Sequence, residues 1–303
     1  MSFRHALEAA GLRPRDIVPD GKIRRCATES HPGKRNGWYV WHADGHGAWG
    51  DWSSGGGEAL GHWRDERSTV DAAAMARMAA ATKRQRDQER AARIQATRSA
   101  RAYFARSRSC TRLHPYLANK GLSPVGTQGL RENDGMLVVP VMWRGRVISV
   151  QTIAPDGTKR FAFGAPVKGG SFVIDRPRAA MTVVAEGLAT GLAIFQCVRN
   201  ARVVVAFDAG NLLPVTLESK FSGSVVFAAD NDWGTLARRG FNPGIEKATN
   251  AAELIGAGVA WPKDIEGTDW ADALKQYGPT GARKIERCIQ AGVKYVAARE
   301  APA

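Results

Sequence analysis

Two stretches decide the fold: Met181-Thr-Val-Val-Ala-Glu186-Gly187 and Val225-Val-Phe-Ala-Ala-Asp230-Asn231-Asp232. Each is a short apolar run that ends in acid. Runs 181–185, 201–207 and 224–229 are Val-rich and bounded by Gly, Asn or Asp, the pattern of parallel strands covered on both faces. Segments 188–198 and 212–220 between them are long enough for crossover helices, so the order strand, helix, strand, helix, strand predicts a doubly wound α/β unit. Chemistry in such sheets collects outside the carboxyl ends of the strands, where Glu186, Asp208, Asp230 and Asp232 fall. In an extended segment Asp230 and Asp232 point the same way, with Asn231 reversed. Carboxylates converging on one crevice raise one another's pKa values unless a cation sits among them, and Mg²⁺ (or Mn²⁺), a hard ion with oxygen ligands, is the natural one. The plain alternative is a set of strand-end acids that only cap helices.

This spacing, Glu-Gly at one strand end and Asp-x-Asp a further strand, helix and strand away, resembles the Toprim domain of primases and topoisomerases. The resemblance runs over about 181–274 and takes in a third acidic element, Gly267-Thr-Asp269-Trp-Ala-Asp272-Ala-Leu, after a last strand expected at 259–262. Asp208 and Asp269 then fall on the same edge, where each either assists an ion or caps a helix or turn.

The 303 residues, 44% of them hydrophobic, are enough for two or more small cores. The net charge of +14 points to a polyanionic partner. Cys26, Cys110, Cys197 and Cys288 are scattered without a Cys-x₂-Cys pair and read as reduced thiols of a cytosolic protein. There is no signal-like leader and no run of membrane-spanning length, so no membrane partner is expected. No Gly-x₄-Gly-Lys-Ser/Thr loop occurs, and any helicase would be a separate protein.

Four segments follow from composition. Residues 1–63 open with a short amphipathic helix over 2–11 and continue as a β-meander over 22–52. Five of the nine tryptophans lie here, among Arg24, Arg25, Lys34 and Arg35. Cations beside ring faces suit single-stranded nucleic acid, with Trp38 and Trp41 as the stacking candidates, although some of the rings must build the small core. His42-x₃-His46 matches one half of a zinc finger and the other half is missing, so zinc is not expected. Residues 64–108 are rich in Ala, Arg, Gln and Glu and read as a long helix or helix pair that serves as a linker.

Residues 109–180 hold Tyr116-Leu-Ala-Asn-Lys-Gly-Leu122, an apolar strand containing Pro140, Gly145-Arg-Val-Ile148 and Lys159-Arg-Phe161, with turns at Trp143-Arg-Gly and Pro155-Asp-Gly. They read as a small antiparallel sheet ahead of the α/β unit at 181–303. That order is similar to the RNA polymerase core of bacterial DnaG-type primases, and closer to the compact primases of plasmids and phages. The zinc ribbon that replicative primases carry at the amino end looks lost or replaced here.

The resemblance implies synthesis of a short RNA primer on single-stranded DNA from nucleoside triphosphates. It makes Glu186, Asp230 and Asp232 the catalytic and metal-binding set, with Glu186 either a ligand or the general acid/base. Lys159, Arg160, Lys168 and Arg146 are suited to triphosphate or template. Asn242-Pro-Gly244 reads as a helix start whose amides can meet a phosphate, and 233–241 before it as a nucleotide-entry loop. A Toprim nuclease and a non-catalytic single-strand-binding factor are the alternatives.

Overall fold

The structure, a computed structural model, describes residues 2–54, 59–65, 72–110, 113–263 and 265–296. It has two compact units, Met1–Asp87 and Gln88–Ala303. In the first, helix α1 (Phe3–Ala9) starts at Ser2, whose hydroxyl accepts the His5 N–H at 3.3 Å. It is followed by the antiparallel meander β1 (Leu12–Arg13), β2 (Arg24–Thr28), β3 (Gly37–Trp41), β4 (His46–Asp51) and β5 (Gly61–Arg64), paired in that order. The Phe3 ring packs against Tyr39, Trp41, Trp49 and Trp63. Gly47 makes room for it, since a Cβ there would stand 2.3 Å from the ring. Full burial of Phe3 stabilises the unit by roughly 1.5–3 kcal/mol.

The Ala/Arg-rich stretch is one helix, α2 (Ala72–Arg106). Near its end Ala100 is buried with Val138 and Val150, and the Arg101 guanidinium donates to the Val147 carbonyl at 2.6 Å. Arg101, though exposed, thus ties the end of α2 to the second unit.

The second unit opens with β6 (Arg108–Ser109), α3 (Pro115–Asn119), β7 (Arg131–Asn133), β8 (Met136–Trp143), β9 (Arg146–Ile153) and β10 (Lys159–Phe161). The five strands form an antiparallel sheet in the order β10-β9-β8-β7-β6. Arg144 and Gly145, both at positive φ, turn β8 into β9, as the Arg-Gly pair predicts.

Next come β11 (Phe172–Ile174), β12 (Met181–Ala185), α4 (Leu188–Cys197), β13 (Ala201–Val205), α5 (Leu212–Glu218), β14 (Gly223–Ala228), α6 (Trp233–Arg239), α7 (Pro243–Glu253), β15 (Gly258–Ala260), α8 (Trp270–Tyr277), α9 (Gly281–Gly292) and β16 (Lys294–Val296). The sheet order is β11-β13-β12-β14-β15, with β16 also on β14. Neighbours among β13, β12, β14 and β15 are parallel, and β11 and β16 are antiparallel. Alternate residues feed two cores, as the pleat requires. Val183, Ala185, Val203, Val205, Val226 and Ala228 face a core shared with α4, α8, α9 and the small sheet. Val184, Val204, Val225 and Phe227 face the one built by α5 and α7. Helices on both faces explain why these strands are Val-rich throughout.

Candidate active site

From β12 the chain crosses to β13 on one side through α4, and β14 returns to the other side of β12. Ala185 and Ala228 are register partners at the ends of β12 and β14. This is the point where the strand order reverses, and the crevice outside it is where ligands bind in open α/β sheets. Glu186 and Asp230 sit there because each lies just past its strand end.

Three elements fix their geometry. The Asp230 N–H donates to Glu186 Oε1 at 3.4 Å, and the Thr190 hydroxyl, one turn into α4, donates to Asp230 Oδ1 at 3.0 Å. The amino end of α7 closes the third side. Its cap, Asn242, is buried and accepts the Asp232 and Ile245 N–H groups at 3.2 and 3.3 Å while donating to Asn231. Asn231 in turn donates to the Pro262 carbonyl at 2.9 Å, so the middle residue of Asp-Asn-Asp is turned into the protein. The backbone leaves the extended form at Asp232 (φ −75°, ψ 52°), whose side chain makes no capping bond to α6.

Gly244 is a contact position. A Cβ there would stand 2.4 Å from the Asp230 carbonyl oxygen and 3.1 Å from Glu186 Oε1. Gly244→Ala is expected to force α7 from the Asp230 turn, costing about 1–3 kcal/mol and lowering activity with it. Thermal melting and turnover measured together check this, and an unchanged melt with full activity would show that the two segments separate freely.

The electrostatics are those of crowded acid. Burial pushes the Glu186 carboxyl up to about 7, against the Asp230 N–H, with Asp232 and Asp208 adding to the rise and Lys247 opposing it. Burial and then the charge of Glu186 raise Asp230 well above its ordinary value. Among the described residues, no three carboxylate, imidazole or thiolate side chains stand together closely enough to enclose a metal ion. The donor set suits Mg²⁺ all the same, because that ion takes one or two carboxylates and fills its shell with water and substrate phosphate.

The outer acids are otherwise engaged. Asp208 is exposed and accepts the Asn211 N–H at 3.0 Å. Asp269 caps α8 through the Asp272 N–H at 2.8 Å, and its other oxygen meets Lys120 Nζ at 2.8 Å. Of the two roles open to these acids in the sequence, the structure shows capping.

Lys120 also reaches Asp272 at 3.0 Å. Burial works against its charge, but the two carboxylates outweigh it and hold the ammonium above its ordinary value. The Lys159 ammonium lies 5.9 Å from the centre of the Tyr116 ring. Desolvation holds it below its ordinary value, with Lys120 adding to the fall and the charges of Asp269 and Asp230 opposing it. Burial pushes the Tyr116 phenol up to about 12. Lys159 thus stands among these acids, and Phe161 on the same strand meets Phe207 beyond β13 at 5.8 Å.

Arg160 and Lys168 are exposed. Gly169, next to Lys168, donates to Asn211 at 2.8 Å, on the Asp208 side. Arg146 is not brought to this edge. It begins β9, whose other end pairs with Lys159, roughly 23 Å along the strand. Asn242 spends its side-chain amide inside the protein and Gly244 is buried against the Asp230 turn, so both shape the crevice.

In the first unit Trp38 is 7% exposed and Trp41 packs against the core. This corrects the expectation that they stack bases, because Trp38 is buried and Trp41 gives part of its ring to the core around Phe3. The exposed ring is Trp52, at 44%. Sequence reasoning also missed Thr190, Lys120 and Lys247. Only Lys120 carried a signal, as the cation inside Tyr-Leu-x₃-Gly-Leu.

Residues 181–280 match the Toprim domain family. A DNA primase TraC of Escherichia coli is 33% identical over 281 residues, covering 86% of this chain and 26% of the relative. A second DNA primase TraC of that organism is 30% identical over 286 residues, covering 86% and 19%. The chain thus spans about a quarter or less of the curated relatives it matches. Among solved structures, the primase fragment of the bacteriophage T7 primase-helicase protein has a TM-score of 0.42 at 14% identity, covering 57% of this chain and 73% of that one. The DnaG primase catalytic domain bound to ssDNA has a TM-score of 0.39 at 14% identity, covering 66% and 82%.

Proposed function

We propose that this chain, which carries a Toprim domain in a stretch aligned with DNA primases, joins nucleoside triphosphates into a short RNA primer on a single-stranded DNA template. The observation that carries the reading is the convergence of Glu186 and Asp230 at the strand-order reversal of that domain. A bound Mg²⁺ or Mn²⁺ would lower the pKa of the attacking 3′-hydroxyl and neutralise charge on the departing pyrophosphate.

The chain's own groups do the rest. Glu186, with its carboxyl near 7, takes the hydroxyl proton as general base at neutral pH. Asp230, steadied by Thr190, and Asp232 supply the one or two carboxylates that the ion needs. Lys159 and Arg160 hold the triphosphate, with Lys168 on the Asp208 side. Phe163, fully exposed just beyond β10, and Trp233, half-exposed at the start of α6, offer ring faces to the bases. The segment read as an entry loop is the short helix α6, in which no residue is buried. Strand separation would fall to a separate helicase. No helix among the described residues is long and apolar enough to cross a membrane.

The test is to incubate the whole chain with mixed-sequence single-stranded DNA, labelled nucleoside triphosphates and Mg²⁺. New short oligomers are expected. Shortening of the template would reassign the site to a nuclease, and binding without either product would leave a single-strand-binding factor.

A further inference from the structure

One face of the small antiparallel sheet packs on the Toprim domain through Leu137, Val139, Val141 and Ile153, which all join the shared core. Gln151 lies on that face. It stands opposite Val139 on β8 and Phe161 on β10 and is only 3% exposed. Among the described residues its side-chain amide nevertheless has no hydrogen-bond partner. A buried amide without partners works against the fold that holds it, and such a group calls for an occupant.

The neighbours of Gln151 say where that occupant sits. Residues opposite each other in a sheet share a face, so Phe161, and Lys159 opposite Ile153, stand on the same side as Gln151. Lys159 feels the charges of Asp269 and Asp230, which puts this corner of the sheet at the crevice. Phe161 meets Phe207 edge-on, and Phe207 holds a φ of 76°, a left-handed backbone that an aromatic residue adopts only under strain. Strain of this kind gathers at ligand sites. A templated polymerase takes four bases at one place, so a fixed side chain there can read only what the four nucleotides share, the triphosphate and the sugar. Lys159 and Arg160 suit the triphosphate. An amide donates and accepts at once, as does the ribose 2′-hydroxyl, the group by which a protein tells RNA from DNA.

We propose that Gln151 binds the ribose 2′-hydroxyl of the incoming nucleoside triphosphate and so selects ribonucleotides over deoxyribonucleotides. This role rests on the polymerase reading and gives that site its sugar specificity.

Two readouts on the full chain, with mixed-sequence single-stranded DNA and Mg²⁺, test it. Incorporation of labelled ribo- and 2′-deoxyribonucleoside triphosphates gives the ratio of their kcat/KM values, and calorimetric titration with GTP and with 2′-deoxy-GTP gives the preference in binding alone. Circular dichroism confirms that each variant is folded. Gln151→Met keeps the length of the side chain and removes the amide. It is expected to lower the preference for the ribonucleotide roughly 5- to 150-fold, all of it through weaker use of the ribonucleotide, with the deoxyribonucleotide unchanged. Gln151→Leu should do the same. Ser149→Ala, two residues back on the same face and wholly enclosed, should leave the preference as it is. A wild type without a preference overturns the proposal, as does an unchanged preference in both Gln151 variants. Equal losses for both sugars also overturn it and make Gln151 a packing group, and a loss confined to one of the four bases makes it a base reader instead. A wild type that makes no oligomer, yet binds GTP over 2′-deoxy-GTP and loses that preference in Gln151→Met, sinks the polymerase reading and leaves the sugar contact standing.

Discussion

Glu186→Gln and Asp230→Asn are each expected to lower the proposed primer synthesis by roughly 10²–10⁴-fold while leaving the protein as stable as the wild type or more so at neutral pH. The two effects have one origin. Both carboxyls are desolvated and face each other, so the ionised forms that chemistry and a cation require are those the bare fold tolerates least. An amide of the same shape removes the charge and keeps the local bonds. In Glu186→Gln the new amide still offers an oxygen to the Asp230 N–H, and in Asp230→Asn the new amide oxygen still accepts from the Thr190 hydroxyl. Turnover and thermal melting of both variants check this. If either lost stability and kept activity, that acid would be a structural group and the site would have to be sought elsewhere.

That opposition between charge and burial was half legible in the chain. Val-rich runs that end in acid gave the parallel strands and the edge where Glu186 and Asp230 meet, because a strand buried on both faces leaves a continuous apolar run and its end is where polarity resumes. The carboxyl-edge position of Glu186 and Asp230 followed from element order alone. What closes the crevice did not. Thr190 and Gly244 act because α4 and α7 start beside adjacent strand ends, and that is a property of strand order rather than of local sequence. The antiparallel strands β11 and β16, of three residues each, are too short to carry a periodic signal.

Composition misled where two roles share one residue type. The tryptophans of the first unit sit among cations, yet Phe3 gathers three of them into a core, and Trp52 is the one that stays exposed. Arg146 shares a strand with residues near the acids, but lies at its far end. Asp269 could assist an ion or cap a helix on its sequence alone, and the structure shows the capping bond to α8 together with an ion pair to Lys120.

The metal-free protein should lose stability as the pH rises from about 5 to about 8, and Mg²⁺ should restore it only at the upper end. The Glu186 carboxyl titrates near 7 in the fold, against an ordinary value of 4.5. Between those values the native state holds a proton that the unfolded chain has lost, so unfolding releases it and stability falls with pH. Below the window both states are protonated and above it both are ionised, so this group contributes no slope there. A shift of that size corresponds to on the order of 3 kcal/mol, and Asp230 acts in the same sense. Asp20, Asp51, Asp156 and Asp272 act oppositely, but their carboxyls lie below the ordinary 3.8. Their stabilisation is therefore complete before this window opens and is lost only in stronger acid. Above it the ionised pair is free to take a cation, whereas at lower pH the proton competes for the same oxygens. Melting temperatures across this range, with and without millimolar Mg²⁺, should separate by several degrees at the alkaline end and coincide at the acid end. Glu186→Gln should flatten the metal-free profile. A wild-type profile already flat from about pH 5 to 8, with no response to Mg²⁺, would mean that the two carboxylates do not share a desolvated crevice, and the assignment of the catalytic edge would fall with it.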